Sequence, residues 1–168
     1  DVVEIKIPFN IYVRDIIESA DAARREASTD RRPFVAEFEN IKHYCQPMRD
    51  AIERANQLAP RGLSVLIEGE SGSGRSTLAQ CMHRKSNRGV NNFHSINCSA
   101  YSIEQLETEL FGHSEKSRAH GIFRKNKDST LYIEEVDALP SHLQTRLLQA
   151  IADPITVRRN FRLIFSSI

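Results

Sequence analysis

The fold of this chain is decided by one stretch of its sequence, Leu63-Ser64-Val65-Leu66-Ile67-Glu68-Gly69-Glu70-Ser71-Gly72-Ser73-Gly74-Arg75-Ser76. The first part, Leu63–Ile67, is apolar and bounded by glycines, which predicts a buried strand. A helical pattern follows from about Arg75 to Arg84. A strand, a glycine-rich loop and a helix in this order are the context that a phosphate-binding P-loop requires.

The glycine-rich loop supplies groups that bind phosphate. Glycines let backbone N–H groups turn inward around phosphate oxygens, and the N-terminus of the next helix adds partial positive charge. The expected phosphate-binding residues are Gly69, Glu70, Ser71, Gly72, Ser73, Gly74, Arg75 and Ser76. The Ser76 hydroxyl would hold Mg²⁺. The alternative, a Gly/Ser-rich turn without a ligand, is disfavoured because strand, loop and helix all occur in the required order.

Position 75 departs from the usual P-loop, which has a lysine there. Arginine keeps the positive charge but carries it on a planar, bulkier fork, so the exchange is not conservative at a tight phosphate site. We expect nucleotide binding to survive at Arg75 and the stabilisation of a transferred phosphoryl group to be weakened.

A second apolar strand, Thr130–Ile133, ends in the two carboxylates of Glu134 and Glu135. In P-loop NTPases such a strand ends with an aspartate that holds Mg²⁺, and a neighbouring glutamate can activate the attacking water. Glu134 stands at the aspartate position and is one methylene longer, so we expect a displaced metal geometry. Glu135 is the expected catalytic glutamate. Two acids at a strand end are a weak signal alone and gain weight from the P-loop upstream.

The rest of the pattern alternates strands with helices. Further strands are predicted at Phe93–Ile96 and Phe161–Phe165, and helices around Met48–Leu58, at Ile103–Leu110 and at Leu139–Ile151. The inward-facing residues of the last helix are predicted to be Leu143, Leu147, Leu148 and Ile151. The alternation predicts an α/β P-loop fold, a mostly parallel sheet with helices on both faces.

Length and composition predict one ordinary globular domain with part of another, since the chain has 168 residues, 40% hydrophobic and 27% charged. The net charge of +1 argues neither for nor against nucleic acid. No apolar run could span a bilayer and no signal peptide is recognisable, so we expect a cytoplasmic protein without a membrane partner. Cys45, Cys81 and Cys98 form no C-x-x-C pair and are expected to be reduced thiols.

Several motifs together resemble the AAA+ domain of bacterial enhancer-binding proteins, the sigma-54-dependent transcription activators. They are the P-loop, Phe93-His94-Ser95-Ile96-Asn97-Cys98, Glu109-Leu110-Phe111-Gly112-His113, Thr130–Glu135, and Leu139-Pro140 with Gln144 and Leu147-Leu148. The string Glu-Leu-Phe-Gly-His is highly specific in this order. The resemblance covers roughly Ile41 to the end, and it disfavours the alternative of a P-loop kinase or metabolic NTPase.

The resemblance implies roles for further residues. Glu135 would be the Walker B glutamate, and Asn97 aligns with the asparagine that restrains this glutamate and couples nucleotide state to surface loops. The family carries a mobile Gly-Ala-Phe-Thr-Gly-Ala loop that contacts sigma-54, whereas the segment from Gly112 to Gly121 lacks that motif and is shorter. Ile168 stands where the family has a sensor asparagine.

The N-terminal piece resembles the tail of a receiver domain. Ile7-Pro8-Phe9 stands where receivers have Lys-Pro-Phe, and an amphipathic helix pattern follows from Asn10 to Ala20. The expected division is a receiver-like end at 1–23, a linker at 24–40 and an AAA+ domain of the sigma-54 interaction type at 41–168. This last domain is expected to stop before the family's helical lid and arginine finger.

The departures at Arg75, Glu134, Ile168 and the loop together resemble degenerate members such as TyrR, VpsR and FleQ. These act with the main sigma factor, and some respond to cyclic di-GMP. The resemblance implies a transcription regulator that binds ATP with Mg²⁺, or cyclic di-GMP, with little or no hydrolysis and without remodelling sigma-54 polymerase. Implied partners are RNA polymerase, DNA through a C-terminal domain outside this chain, and further copies in a dimer or hexamer. The alternative is an active sigma-54-dependent ATPase, which Ser76, Asn97 and Glu135 would support.

Overall fold

The structure, a computed structural model, describes residues 2–7, 36–41, 43, 45–89, 92–112, 121–125 and 127–168. They contain a five-stranded sheet in the order β1-β2-β5-β4-β3, with β1 at Val2–Lys6, β2 at Ser64–Glu68, β3 at Phe93–Asn97, β4 at Thr130–Glu134 and β5 at Arg162–Ser167. Every neighbouring pair is parallel. The predicted α/β fold with a parallel sheet is therefore confirmed.

The helices are α1 (Gln46–Leu58), α2 (Arg75–Arg84), α3 (Ile103–Phe111), α4 (Ile122–Lys125), α5 (Ser141–Ala152) and α6 (Pro154–Arg158). Most bounds lie within two residues of the prediction. The helix predicted from Leu139 begins instead at Ser141, because Leu139 and Pro140 have extended backbones. Within the described ranges, the helices are too short or too polar to cross a bilayer.

One face of the sheet packs against α1 and α2. Its core contains Val65 and Ile67 of β2, Tyr132 of β4 and Ile164 of β5. The residues that these two helices contribute are Met48, Ala51, Ile52, Ala55, Leu58, Leu78, Ala79, Cys81 and Met82. Their spacing of three and four residues places them on one side of each helix, as the sequence pattern predicts.

The opposite face packs against α3, α4 and α5, and its core includes Leu131, Ile133 and Leu163 of the central strands. Leu143 and Leu147 of α5 are buried in this core as predicted. The prediction was wrong for Leu148, which is 69% exposed. Leu148 follows Leu147 directly, so it lies about 100° further round the helix and points away from the core.

β1 lies at one edge of the sheet, although the sequence resemblance assigns its residues to a receiver-like tail. It pairs in parallel with β2, and Ile5 and Ile7 belong to the first core. Ala36 and Phe38, within the predicted linker, are buried in the same core. The helix predicted between Asn10 and Ala20 lies outside the described residues. The division of the chain at residues 23 and 40 stays a prediction.

The amino ends of the strands are tied to the helices by Arg162, the first residue of β5, which is fully buried. Its guanidinium donates to the backbone carbonyls of Leu58, Ala59, Leu63 and Met82 over 2.7 to 3.3 Å. Burial lowers the pKa of Arg162 to about 10, so the side chain remains charged at neutral pH. One side chain thus joins the ends of α1 and α2 to the start of β2.

Candidate nucleotide-binding site

The P-loop connects the carboxyl end of β2 to α2 through a tightly packed backbone. Gly72 and Gly74 have φ angles of 82° and 90°, a left-handed conformation that side chains disfavour. A Cβ on Gly69 would lie 2.7 Å from Ser73 Oγ and 3.1 Å from the Ile7 carbonyl oxygen. The Gly69 N–H donates to the carbonyl of Ser167 at the end of β5. Gly69 is therefore needed for the close approach to its neighbours, and Gly72 and Gly74 are needed for their left-handed backbone.

Two buried polar atoms of the loop have no hydrogen-bond partner among the described residues. They are Ser73 Oγ and Arg75 Nη1, and Arg75 as a whole is only 8% exposed. Leaving a buried polar group unpaired costs about 1–3 kcal/mol, so such groups are usually satisfied by a ligand or water. An anion at the N-terminus of α2 would be stabilised by the helix dipole and would supply the acceptor that the Arg75 guanidinium lacks. The residues present therefore fit a phosphate.

Ser76, in the first turn of α2, contacts the neighbouring strand. Its Oγ lies 3.5 Å from Oη of Tyr132 on β4, and Tyr132 Oη donates to Ser166 Oγ of β5 at 3.1 Å. Burial raises the pKa of Tyr132, so the phenol keeps its proton at neutral pH. Ser76, predicted to hold Mg²⁺, is thus the first member of a chain of hydroxyl groups.

The two carboxylates after β4 differ in their surroundings. Glu134 Oε1 accepts a hydrogen bond of 2.8 Å from Ser95 Oγ of β3. Because β3 is the outer strand of the sheet, this bond holds the carboxylate on the side away from β2 and the P-loop. Glu135 is half-buried and has a left-handed backbone, with φ 53° and ψ 52°. Strain of this kind occurs preferentially at functional sites.

Asn97 lies beside Glu134, since the two residues are register partners on β3 and β4. Its Oδ1 accepts the Ser99 N–H at 2.9 Å and so closes the turn that follows β3. Among the described residues, no hydrogen bond joins Asn97 to Glu135. The restraint of Glu135 by Asn97 stays a prediction. Ile168, at the expected sensor position, is exposed.

Metal binding by protein ligands alone has no candidate in the part of the chain that the structure describes, which contains no group of three His, Cys, Asp or Glu residues placed to hold an ion. Mg²⁺ in phosphate sites commonly takes one or two side chains and completes its shell with phosphates and waters. Ser76 is a residue that would hold it, whereas Glu134 is held by Ser95 on the side of β3, so its role as a metal ligand stays a prediction. Cys45, Cys81 and Cys98 are free thiols, and burial raises the pKa of the latter two to about 11.

The sequence prediction did not include Tyr132, Ser166 or Ile7. The structure places Tyr132 against Ser76, Ile7 against Gly69, and Ser166 against Tyr132. Tyr132 had a usable signal, because a hydroxyl stands in an otherwise apolar strand two residues before Glu134, on the same face. Ser166 and Ile7 had none, since their approach depends on how β5 and β1 flank β2.

A comparison with protein families identifies a domain family that agrees with this P-loop and parallel sheet. The model of the sigma-54 interaction domain matches residues 41–159. This chain belongs to the sigma-54 interaction domain family.

Relatives of this sigma-54 interaction domain include transcriptional regulatory proteins. GlrR of Escherichia coli (strain K12) is 36% identical over 80% of this chain, and FlbD of Caulobacter vibrioides is 39% identical over 63%. The chain spans 29% of the length of GlrR and 25% of that of FlbD. It therefore corresponds to one part of proteins that are several times longer.

Solved structures support the same fold. NtrX from Brucella abortus in complex with ATP superimposes with a TM-score of 0.67 at 25% identity, covering 95% of this chain and 39% of NtrX. The sigma-54 contact motif of the family would fall between Gly112 and Gly121 of this chain. Residues 113–120 lie outside the described residues, so the predicted loss of that loop stays a prediction.

Proposed function

We propose that this sigma-54 interaction domain is the nucleotide-binding part of a bacterial transcription regulator, and that it binds ATP with Mg²⁺ while hydrolysing it little or not at all. The observation that carries the proposal is the buried Arg75 guanidinium, whose Nη1 has no partner and lies at the N-terminus of α2. A buried cationic donor without a partner favours an anion as its acceptor, because charge-assisted hydrogen bonds are about twice as strong as neutral ones.

Weak hydrolysis follows from two residues. Arg75 carries its charge on a planar guanidinium, which is wider than the ammonium group of the usual lysine. It can therefore bind the phosphates of the ground state but cannot approach the transferred phosphoryl group as closely as a lysine does. Glu134 is engaged by Ser95 on the side of β3. Both effects reduce transition-state stabilisation more than they reduce binding.

The remaining parts of the proposal concern the longer protein. It would contact RNA polymerase without remodelling the sigma-54 form, bind DNA through a domain outside this chain, and self-associate as a dimer or a hexamer. The receiver-like end at 1–23 and the linker at 24–40 belong to the same proposal. Cyclic di-GMP is the second candidate ligand, because its phosphates would present the same oxygens to Arg75 and the loop.

An active sigma-54-dependent ATPase is the second candidate function. It is favoured by the strained backbone of Glu135, which stands where an activating glutamate is needed, and by the presence of Ser76. In that case Glu135 would orient or deprotonate the attacking water.

Calorimetric titration of the intact protein with ATP and with cyclic di-GMP, combined with phosphate release in the same samples, separates these functions. We expect saturable binding of ATP in the presence of Mg²⁺ with phosphate release close to the uncatalysed background. Sustained turnover would establish the active ATPase instead. If the protein binds cyclic di-GMP and not ATP, cyclic di-GMP is the ligand of the site. If it binds neither, the proposed nucleotide site is refuted.

A further inference from the structure

Tyr132 lies between the P-loop helix and the end of β5, and it is the residue of β4 that reaches Ser76. Its side chain is 1% exposed, and its hydroxyl is 3.5 Å from Ser76 Oγ and 3.1 Å from Ser166 Oγ. Tyr132 and Glu134 are two residues apart on one strand, so they project from the same face of the sheet. The phenol therefore occupies the space beneath the site where Ser76 would meet a metal ion.

The hydrogen bonds of these hydroxyl groups have one consistent direction. Tyr132 has a single proton, and the geometry has it donated to Ser166 Oγ. The phenol then has no proton left for Ser76, so in the 3.5 Å contact between the two hydroxyl groups we infer that Ser76 Oγ donates and Tyr132 Oη accepts. The lone pairs of Ser76 Oγ then remain available to a metal ion, because a cation is bound by lone pairs and repelled by a hydroxyl proton.

Glu134, which lies on the same face of β4, does not contact Ser76 in the structure. Its carboxylate accepts from Ser95 Oγ at 2.8 Å, and Ser95 belongs to the outer strand β3. The hydrogen-bonding group that β4 directs at Ser76 is the phenol of Tyr132. A hydrogen bond between a metal-binding residue and a neighbour that does not touch the metal orients the metal-binding residue and tunes its affinity for the metal.

We propose that Tyr132 is a positioning residue for magnesium. Its phenol oxygen accepts a hydrogen bond from the Ser76 hydroxyl and its own hydroxyl donates one to Ser166 Oγ, so that the lone pairs of Ser76 Oγ stay available for the Mg²⁺ of a nucleotide. The inference rests on the proposed nucleotide binding and assigns the metal dependence of that site to a hydroxyl chain that the sequence motifs do not contain. Without Tyr132, the Ser76 hydroxyl can turn to a backbone carbonyl of the preceding turn, as serines in helices commonly do.

The test is the apparent Mg²⁺ affinity of the ATP complex, measured by titrating Mg²⁺ into the intact protein with ATP, beside ATP binding in EDTA. Tyr132→Phe keeps the ring and removes the hydroxyl. We expect it to weaken the apparent Mg²⁺ affinity roughly tenfold and to leave ATP binding in EDTA unchanged. Ser166→Ala frees the Tyr132 proton to compete for a Ser76 lone pair, so we expect a loss in the same direction.

Tyr101→Phe is the matched control, because it removes the same hydroxyl from an exposed residue ahead of α3 and should change neither constant. Unchanged Mg²⁺ affinity in Tyr132→Phe and in Ser166→Ala would overturn the inference. If a variant lost ATP affinity equally in Mg²⁺ and in EDTA, the inference would also be overturned, since Tyr132 would then have a structural role alone. A wild-type protein that binds no ATP in either condition refutes the proposed function itself, whereas an ATP-binding protein indifferent to both variants refutes only the role of Tyr132.

Discussion

The two ends of the sheet each bury an arginine, and the comparison separates structure from function. At the amino ends of the strands, Arg162 is completely buried and its guanidinium is bonded to four backbone carbonyls. At the carboxyl ends, Arg75 is almost as buried, yet its Nη1 finds no partner in the part of the chain that the structure describes. The same residue type is therefore satisfied by the fold at one end and left available for a ligand at the other.

The difference has a physical origin in the surrounding backbone. Carbonyl groups at the ends of α1 and α2 have no helical partner of their own, and they converge on Arg162. At the P-loop the backbone presents N–H groups and the positive end of the α2 dipole, which cannot accept from a guanidinium. Arg75 can be satisfied there only by an acceptor brought from outside, and an anion is the acceptor that the dipole also favours.

The largest expected effect is on stability, from Arg162→Met. The substitution leaves the carbonyls of Leu58, Ala59, Leu63 and Met82 without their donor, and each buried group that stays unpaired costs about 1–3 kcal/mol. We expect the free energy of unfolding in urea to fall by about 3 kcal/mol or more. Arg162→Lys keeps the charge but not the forked guanidinium, so its free energy of unfolding should lie between those of the wild-type protein and Arg162→Met. A loss below about 1 kcal/mol would show that water replaces the guanidinium and would remove the contrast between the two ends.

The next effect is on binding, from Arg75→Met. Removal of the guanidinium, whose buried Nη1 has no partner among the described residues, should leave the free energy of unfolding unchanged or raise it by about 1 kcal/mol. Loss of a charge-assisted bond to phosphate should weaken ATP binding roughly 10- to 100-fold in calorimetry. Arg75→Lys is the control that restores a cation, and it should retain binding. If Arg75→Met instead lost stability and kept its affinity for ATP, Arg75 would be a structural arginine like Arg162.

The smallest effect comes from Thr130→Val at the amino end of β4. Thr130 Oγ1 is 2.8 Å from His83 Nδ1 of α2, and both residues are buried. Losing this bond should lower the free energy of unfolding by about 1 kcal/mol and leave ATP affinity unaltered. Thr145→Val on the exposed side of α5 is the control, with a change within about 0.5 kcal/mol. A change in ATP affinity would show that this end of the sheet communicates with the P-loop.

Much of the fold could be predicted from local sequence. The apolar run before Gly69 and the helical spacing of Leu78, Cys81 and Met82 depend on neighbouring residues alone, and both were confirmed by the structure. Leu148 shows the limit of such reasoning, because its apolar side chain beside the buried Leu147 does not reveal that it lies on the exposed side of α5. The β1 strand shows a second limit, since its pairing partner β2 lies about sixty residues later in the chain.

The candidate site divides in the same way. Its glycines, Arg75, Ser76 and the acidic end of β4 are adjacent in sequence to the elements that position them, so their pattern is recognisable from local sequence alone. Tyr132 and Ser166 required the parallel register of β4 and β5, which brings residues 34 positions apart within hydrogen-bonding distance.

By itself, the sequence determined that this is a P-loop α/β domain with the motifs of the sigma-54 interaction family, because strand, loop and helix are contiguous and their chemistry is local. Only the tertiary structure decided which arginine is satisfied and which lacks a partner, and which hydroxyl stands behind Ser76. Those properties depend on which strands are neighbours in the sheet. The strands follow one another in sequence from β1 to β5, but their order in the sheet is β1-β2-β5-β4-β3. Hydrogen bonds act over about 3 Å, so only this arrangement determines which of them form.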